Sequence, residues 1–110
     1  MGKVMRKIAV CLLLACVVCA APFAQTPEDC FNRGKAHLDT GNYDRAVADF
    51  TEAIALNPRY IEAYLGRGLA YFLKRHYIKA IADLEAVLTI EPDNADVKEF
   101  IELIREGRES

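Results

Sequence analysis

Gly34-Lys35-Ala36-His37-Leu38-Asp39-Thr40-Gly41-Asn42-Tyr43-Asp44-Arg45-Ala46-Val47-Ala48-Asp49 is answered 34 positions later by Gly68-Leu69-Ala70-Tyr71-Phe72-Leu73-Lys74-Arg75-His76-Tyr77-Ile78-Lys79-Ala80-Ile81-Ala82-Asp83. Gly34, Ala36, Tyr43, Ala46, Ala48 and Asp49 recur unchanged, and Glu28, Arg33 and Pro58 extend the echo to Glu62, Arg67 and Pro92. A fixed period of this length means that each unit is one supersecondary element that must stack on a copy of itself to bury its apolar face. Such stacks make surfaces for binding and seldom assemble catalytic sites.

Outward from the echo, the breaks in the helical apolar pattern fall at Thr40-Gly41-Asn42, Asn57-Pro58, Lys74-Arg75-His76 and Glu91-Pro92-Asp93-Asn94. The spacing predicts five helices, ending near Asp39, Leu56, Leu73, Ile90 and Glu106. The first is announced by Thr26-Pro27-Glu28-Asp29: a hydroxyl at the N-cap, proline at the first helical position and carboxylates in the first turn. Joints this short force antiparallel neighbours. The last helix, from Ala95, sets Val97, Phe100, Ile101 and Ile104 on one face, the pattern of a solvating cap, with Leu103 interrupting the polar side.

The first twenty residues differ in kind. Lys3, Arg6 and Lys7 precede an unbroken apolar run over residues 8–21, and no acidic residue stands before Glu28. This describes an export leader. At helical rise the run reaches roughly 21 Å, short of the roughly 30 Å hydrocarbon core, so a retained anchor is the weaker reading. Val18-Cys19-Ala20 offers a simple cleavage site before Ala21, and Leu13-Leu14-Ala15-Cys16 resembles a lipoprotein box in which Cys16 would be acylated. Both stay open. A periplasmic or secreted location is expected, with an envelope lipoprotein or membrane-anchored form as the alternative.

Cleavage after residue 20 would lower the formal charge from −2 to −5, because Lys3, Arg6 and Lys7 leave while every carboxylate stays. An acidic domain is a poor binder of nucleic acid, whose affinity rests on neutralising phosphates. Of the four cysteines only Cys30 lies outside the leader. It is expected to be a buried thiol, with a bridge between chains as the sharper alternative.

Enzymatic constellations are missing. His37 and His76 are the only histidines and lie in different units without cysteine or carboxylate ligands at metal spacing, and no serine precedes Ser110. No phosphate loop is present, and no cofactor is expected. Asp49 and Asp83 repeat on successive second helices and are expected to lie on a solvated outer face.

Gly34, Ala46, Phe50 and Pro58 in the first unit, and Gly68, Tyr71, Ala80, Leu84 and Pro92 in the second, stand in the pattern of the tetratricopeptide repeat, which the chain resembles from Pro27 to Asn94. The resemblance implies an all-α fold: antiparallel helix-turn-helix repeats stacked as a short right-handed solenoid. Residues 1–20 form the leader, 21–26 a tether, 27–60 and 61–94 the two repeats, and 95–110 a capping helix and tail. Gly34 and Gly68 are expected to admit Ala46 and Ala80 of the facing helix. Arg33 and Arg67, where leucine is common, would lay their stems along a neighbour and keep their charge wet. Cys30 and His37 replace aromatic residues, leaving less bulk at the N-terminal end.

In this family the first helix of each unit lines the concave surface, which points to Phe31, Lys35 and Leu38 in the first unit and Leu65, Leu69 and Phe72 in the second. The stripe suits an apolar peptide or amphipathic helix of a partner protein, unless neighbouring helices already bury it. Members that clamp the carboxylate of chaperone tails carry Lys, Asn and Arg there. Here Phe31, Leu65 and Gly66 fill the matching places and only Lys35 has a suitable charge, so no such clamp is expected. The resemblance therefore implies a non-enzymatic interaction module or scaffold. A second reading is a structural, self-associating subunit, since two and a half units leave core open and a homodimer through Phe31, Leu65, Phe72 or Leu103 would close it. The basic turn of Lys74, Arg75, His76 and Lys79 is either hydrated or meets an acidic partner.

Overall fold

The computed structural model describes residues 26–109. The leader, its cleavage and the acylation of Cys16 lie outside them. Among the described residues five helices follow one another: α1 (Pro27–Asp39), α2 (Tyr43–Leu56), α3 (Ile61–Leu73), α4 (Tyr77–Ile90) and α5 (Ala95–Glu109). Four of the five expected ends agree, and α5 runs three residues past Glu106. Nothing in Glu106-Gly107-Arg108 stops a helix as Pro58 and Pro92 do, since a lone glycine costs only about 1 kcal/mol.

Local chemistry sets the boundaries. The Thr26 hydroxyl accepts from the Asp29 N–H at 3.1 Å, and the Asn94 side-chain oxygen accepts from the Val97 N–H at 3.1 Å. Each is a side-chain N-cap worth about 1 kcal/mol. At the joint between units the Tyr64 hydroxyl donates to the Pro58 carbonyl at 3.0 Å, which fixes the turn to the helix that follows it.

The core changes character along the stack. Around α1 it is built from small side chains, Cys30, Ala53 and Ala63, with Phe31, Ile54 and Tyr60 packed against them. Bulk missing from Cys30 is supplied by neighbours, the rings of Phe31 and Tyr60 meeting edge to face at 5.4 Å. Farther on, α5 lays Val97, Ile101 and Ile104 over Ala80, Leu84 and Val87. Burying each of the three α5 chains contributes about 1.5–3 kcal/mol. That face is where a third repeat would stack, so α5 caps it as its pattern predicted.

Two expectations need correction. The space above Gly34 belongs to Phe50 rather than Ala46: a Cβ there would stand 2.8 Å from the Phe50 ring, whereas at Gly68 it would stand 3.5 Å from the Ala80 carbonyl oxygen. Nor are Asp49 and Asp83 solvated. Asp83 is 5% exposed and Asp49 is half-buried, because the antiparallel pairing of helices brings each opposite the arginine sixteen residues before it. Arg33 Nε donates to Asp49 at 3.2 Å, and Arg67 donates to Asp83 at 2.9 and 2.7 Å. Both arginine charges are thus paired, but only Arg67 is withdrawn from water: its side chain is 19% exposed, against 40% for Arg33. The Arg67 hydrogen bond to Asp83 raises its already high pKa.

Candidate partner-binding cleft

Helices α1 and α3 run side by side as the first helices of their units, and positions three and four apart share a face. Phe31, Lys35 and Leu38 on α1 therefore form one stripe, and Leu65 and Leu69 on α3 another. The structure brings these five together around a single cleft of about 300 Å³, completed by Phe50, Glu62 and Gly66. Phe50 forms its floor, with the Phe31 ring tilted against it at 5.8 Å.

Gly66 makes that floor. A Cβ at this position would lie 2.6 Å from Phe50 Cζ, so any side chain would push the ring aside. The residue in register in the first unit is the exposed Asn32, so the 34-residue comparison carried no hint of Gly66's task. Glu62 was missed because its echo, Glu28, is an ordinary helix-start carboxylate.

The sixth candidate, Phe72, does not line the cleft. Its half-buried ring meets Phe100 edge to face at 5.5 Å and lies 5.8 Å from the Tyr77 ring, packed against the core that α4 and α5 share. The capping helix reaches over it. Leu69 stays 37% exposed, and Leu103 on α5 is also exposed.

The electrostatics suit binding more than chemistry. Lys35 and Glu62 are the charged residues that border the cleft, and they stand on opposite walls. Burial raises the pKa of the Cys30 thiol, with the Glu52 carboxylate adding to the effect. Its sulfur, buried beside the Arg33 guanidinium at 3.7 Å, is out of reach of a second chain. Burial likewise raises Tyr60, whose hydroxyl stays neutral. Among the described residues no group of three or more His, Cys, Asp or Glu could hold a metal ion, and no helix is long and apolar enough to cross a membrane.

Known proteins place this geometry. The chain is 37% identical over 78 residues to serine/threonine-protein phosphatase T of Aspergillus oryzae, covering 71% of itself and 16% of that protein. It is 35% identical over 75 residues to human tetratricopeptide repeat protein 6, covering 68% of itself and 14% of the relative. It thus spans only a small part of the length of these relatives. Among solved structures, MamA superposes with a TM-score of 0.74 at 29% identity over 77% of this chain and 50% of that one. The first TPR of Spaghetti (RPAP3) bound to the HSP90 peptide SRMEEVD gives 0.72 at 31% identity over 78% and 68%. The tetratricopeptide repeat family model matches residues 31–95. On that match, and on two units in register closed by a capping helix, the chain belongs to the tetratricopeptide repeat family.

Proposed function

We propose that the chain is an exported, non-enzymatic interaction module that receives an apolar segment of a partner protein, a peptide or one face of an amphipathic helix, in the cleft between α1 and α3. The observation that carries this reading is the lining: Phe31, Leu38, Leu65 and Leu69 over a Phe50 floor, with one cation and one anion on opposite walls. Apolar contact supplies affinity there, and the two charges set direction. Peptide capture is supported by the similar RPAP3 domain, whose structure holds an HSP90 peptide. The wall residues argue for a different ligand class from an acidic tail, since Phe31, Leu65 and Gly66 offer no donors for a carboxylate. The repeat fold is not catalytic by itself. Export is supported by Lys3, Arg6 and Lys7 ahead of the apolar run, and the mass of the mature N-terminus decides between Ala21, an acylated Cys16 and an uncut chain.

In-cell photocrosslinking tests the cleft. A photoreactive residue at Leu69 should trap a partner, one at the exposed Leu56 of α2 should not, and Leu65→Glu should abolish the Leu69 adduct. Adducts with copies of the same chain alone would replace the scaffold reading with the self-associating one. Equal trapping from both positions would remove the cleft from either.

A further inference from the structure

The two turns inside the repeats are built on one backbone frame and carry opposite surfaces. In the first, the N–H groups of Thr40, Gly41 and Asn42 donate to the carbonyls of Ala36, Leu38 and His37. In the second, Lys74, Arg75 and His76 donate to Ala70, Phe72 and Tyr71, the same three register positions. Onto that shared frame the second turn places Lys74 for Thr40, Arg75 for Gly41, His76 for Asn42 and Ile78 for Asp44, while Lys79 keeps the charge of Arg45.

Two of these exchanges work against folding. Arg75 adopts φ +64°, the one positive-φ residue other than glycine among the described residues, where Gly41 takes +81° without a Cβ to strain. Ile78 stands 73% exposed, the most exposed of the large apolar side chains described, and displaces a carboxylate that favours a helix start. A residue held in a disfavoured backbone region points to a role beyond the fold.

Surrounding groups hold the cations at the surface. Lys79 Nζ lies over the Tyr71 ring at 5.5 Å, His76 stacks on the same ring at 6.2 Å, and Lys74 pairs with Asp44 of the sister turn. Arg75, His76, Tyr77, Ile78 and Lys79 border one surface depression.

We propose that this turn is a contact site for an anionic phospholipid surface, with Ile78 entering the acyl boundary while Arg75 and Lys79 meet headgroup phosphates. A protruding aliphatic side chain flanked by cations is the arrangement that interfacial contact requires, each nearby cation adding to the attraction. A protein partner is the poorer fit. One isoleucine on a turn falls far short of the about 1,000 Å² that a stable protein interface buries, whereas a bilayer accepts a single inserted side chain. The contact would present the acidic remainder of the domain away from the membrane, and it stands independently of the cleft.

The test uses the full chain and vesicles containing phosphatidylglycerol with a photoactivatable acyl chain. Adducts are mapped by mass, so those in residues 8–21 do not bear on the turn. Adducts within residues 75–79 are expected with phosphatidylglycerol and not with photoactivatable phosphatidylcholine in uncharged vesicles. The double variant R75G/I78D borrows the residues of the sister turn and so keeps the frame. It should melt at or above the wild-type temperature, since both exchanges it reverses work against folding, and it should give about tenfold fewer turn adducts. Absent turn adducts, equal yields with the two lipids, or an unchanged yield in R75G/I78D would each overturn the assignment. If a polyglutamate peptide perturbs the turn while anionic vesicles leave it unlabelled, the surface belongs to an acidic protein and the lipid assignment is likewise overturned.

Discussion

Arg67 on α3 grips Asp83 on α4 with two hydrogen bonds, Nε to Oδ2 at 2.9 Å and Nη2 to Oδ1 at 2.7 Å. A third, from Nη1 to the Thr51 hydroxyl at 3.1 Å, ties the same guanidinium to α2 of the preceding unit. The equivalent Arg33 has no preceding unit among the described residues and reaches Glu52 of α2 instead, at 3.3 Å, and its side chain is 40% exposed against 19% for Arg67. Position in the stack therefore sets the value of the same pair.

Arg67→Ala should cost about 2–4 kcal/mol, because it strands the Asp83 carboxylate in the core, whereas Arg33→Ala should cost less than about 1 kcal/mol. Replacing both partners by apolar residues, Arg67→Met with Asp83→Leu, should recover most of the loss. Urea denaturation of the four proteins measures this. Equal costs for the two arginines would show that the buried pair has no special weight.

Phe50 makes opposite predictions for three glycines that all sit in helices. Gly66→Ala and Gly34→Ala should destabilise by about 1–3 kcal/mol despite alanine's better helix propensity, because the added Cβ would meet the ring at 2.6 and 2.8 Å. Gly68→Ala meets its neighbours at 3.5 Å, an ordinary contact, and should be neutral or up to about 1 kcal/mol more stable. Phe50→Leu should relieve much of the Gly66→Ala penalty in a double-mutant cycle. Additive costs would mean that the ring is not the obstacle.

The echo itself made the helices, their order and the capping role of α5 legible, since proline, N-cap hydroxyls and apolar spacing act locally. Five of the six candidates were correctly placed along the cleft, because residues three and four apart share a face whatever follows. Phe72 was not. It has the register of Leu38, yet Phe100, farther along the chain, covers it, and no periodic argument within one unit sees a neighbour in the next. The Arg–Asp pairs were hidden for a related reason. A separation of sixteen residues acquires meaning only once the antiparallel hairpin is built, and until then the recurring aspartates read as surface.

Cys30 links burial to pH. Its pKa is raised above the ordinary thiol value of 9.0 by desolvation, so above that pH the unfolded chain loses a proton that the folded chain retains. Stability from this group is intact below pH 9.0 and is lost as pH rises toward the folded pKa. Urea midpoints should therefore fall above that pH, and less steeply in Cys30→Val. Iodoacetamide should leave the Cys30 peptide unmodified until denaturant is added. Rapid alkylation in buffer would show that the sulfur is reachable.

Leu69 and Phe72 separate binding from folding within a single turn of α3. Leu69→Glu changes a partly exposed cleft wall, so stability should stay within about 0.5 kcal/mol of wild type while crosslinking from a photoreactive residue at Lys35 disappears. Phe72→Ala removes a half-buried ring from its contacts with Phe100 and Tyr77, and should cost about 2 kcal/mol, below the about 3–5 kcal/mol of a fully buried ring. At temperatures where that variant is still folded, its crosslinking from Lys35 should survive, since the cleft walls are intact. A Phe72→Ala protein as stable as wild type but unable to crosslink would return Phe72 to the binding surface. It would also mean that α5 does not pack over the ring in solution.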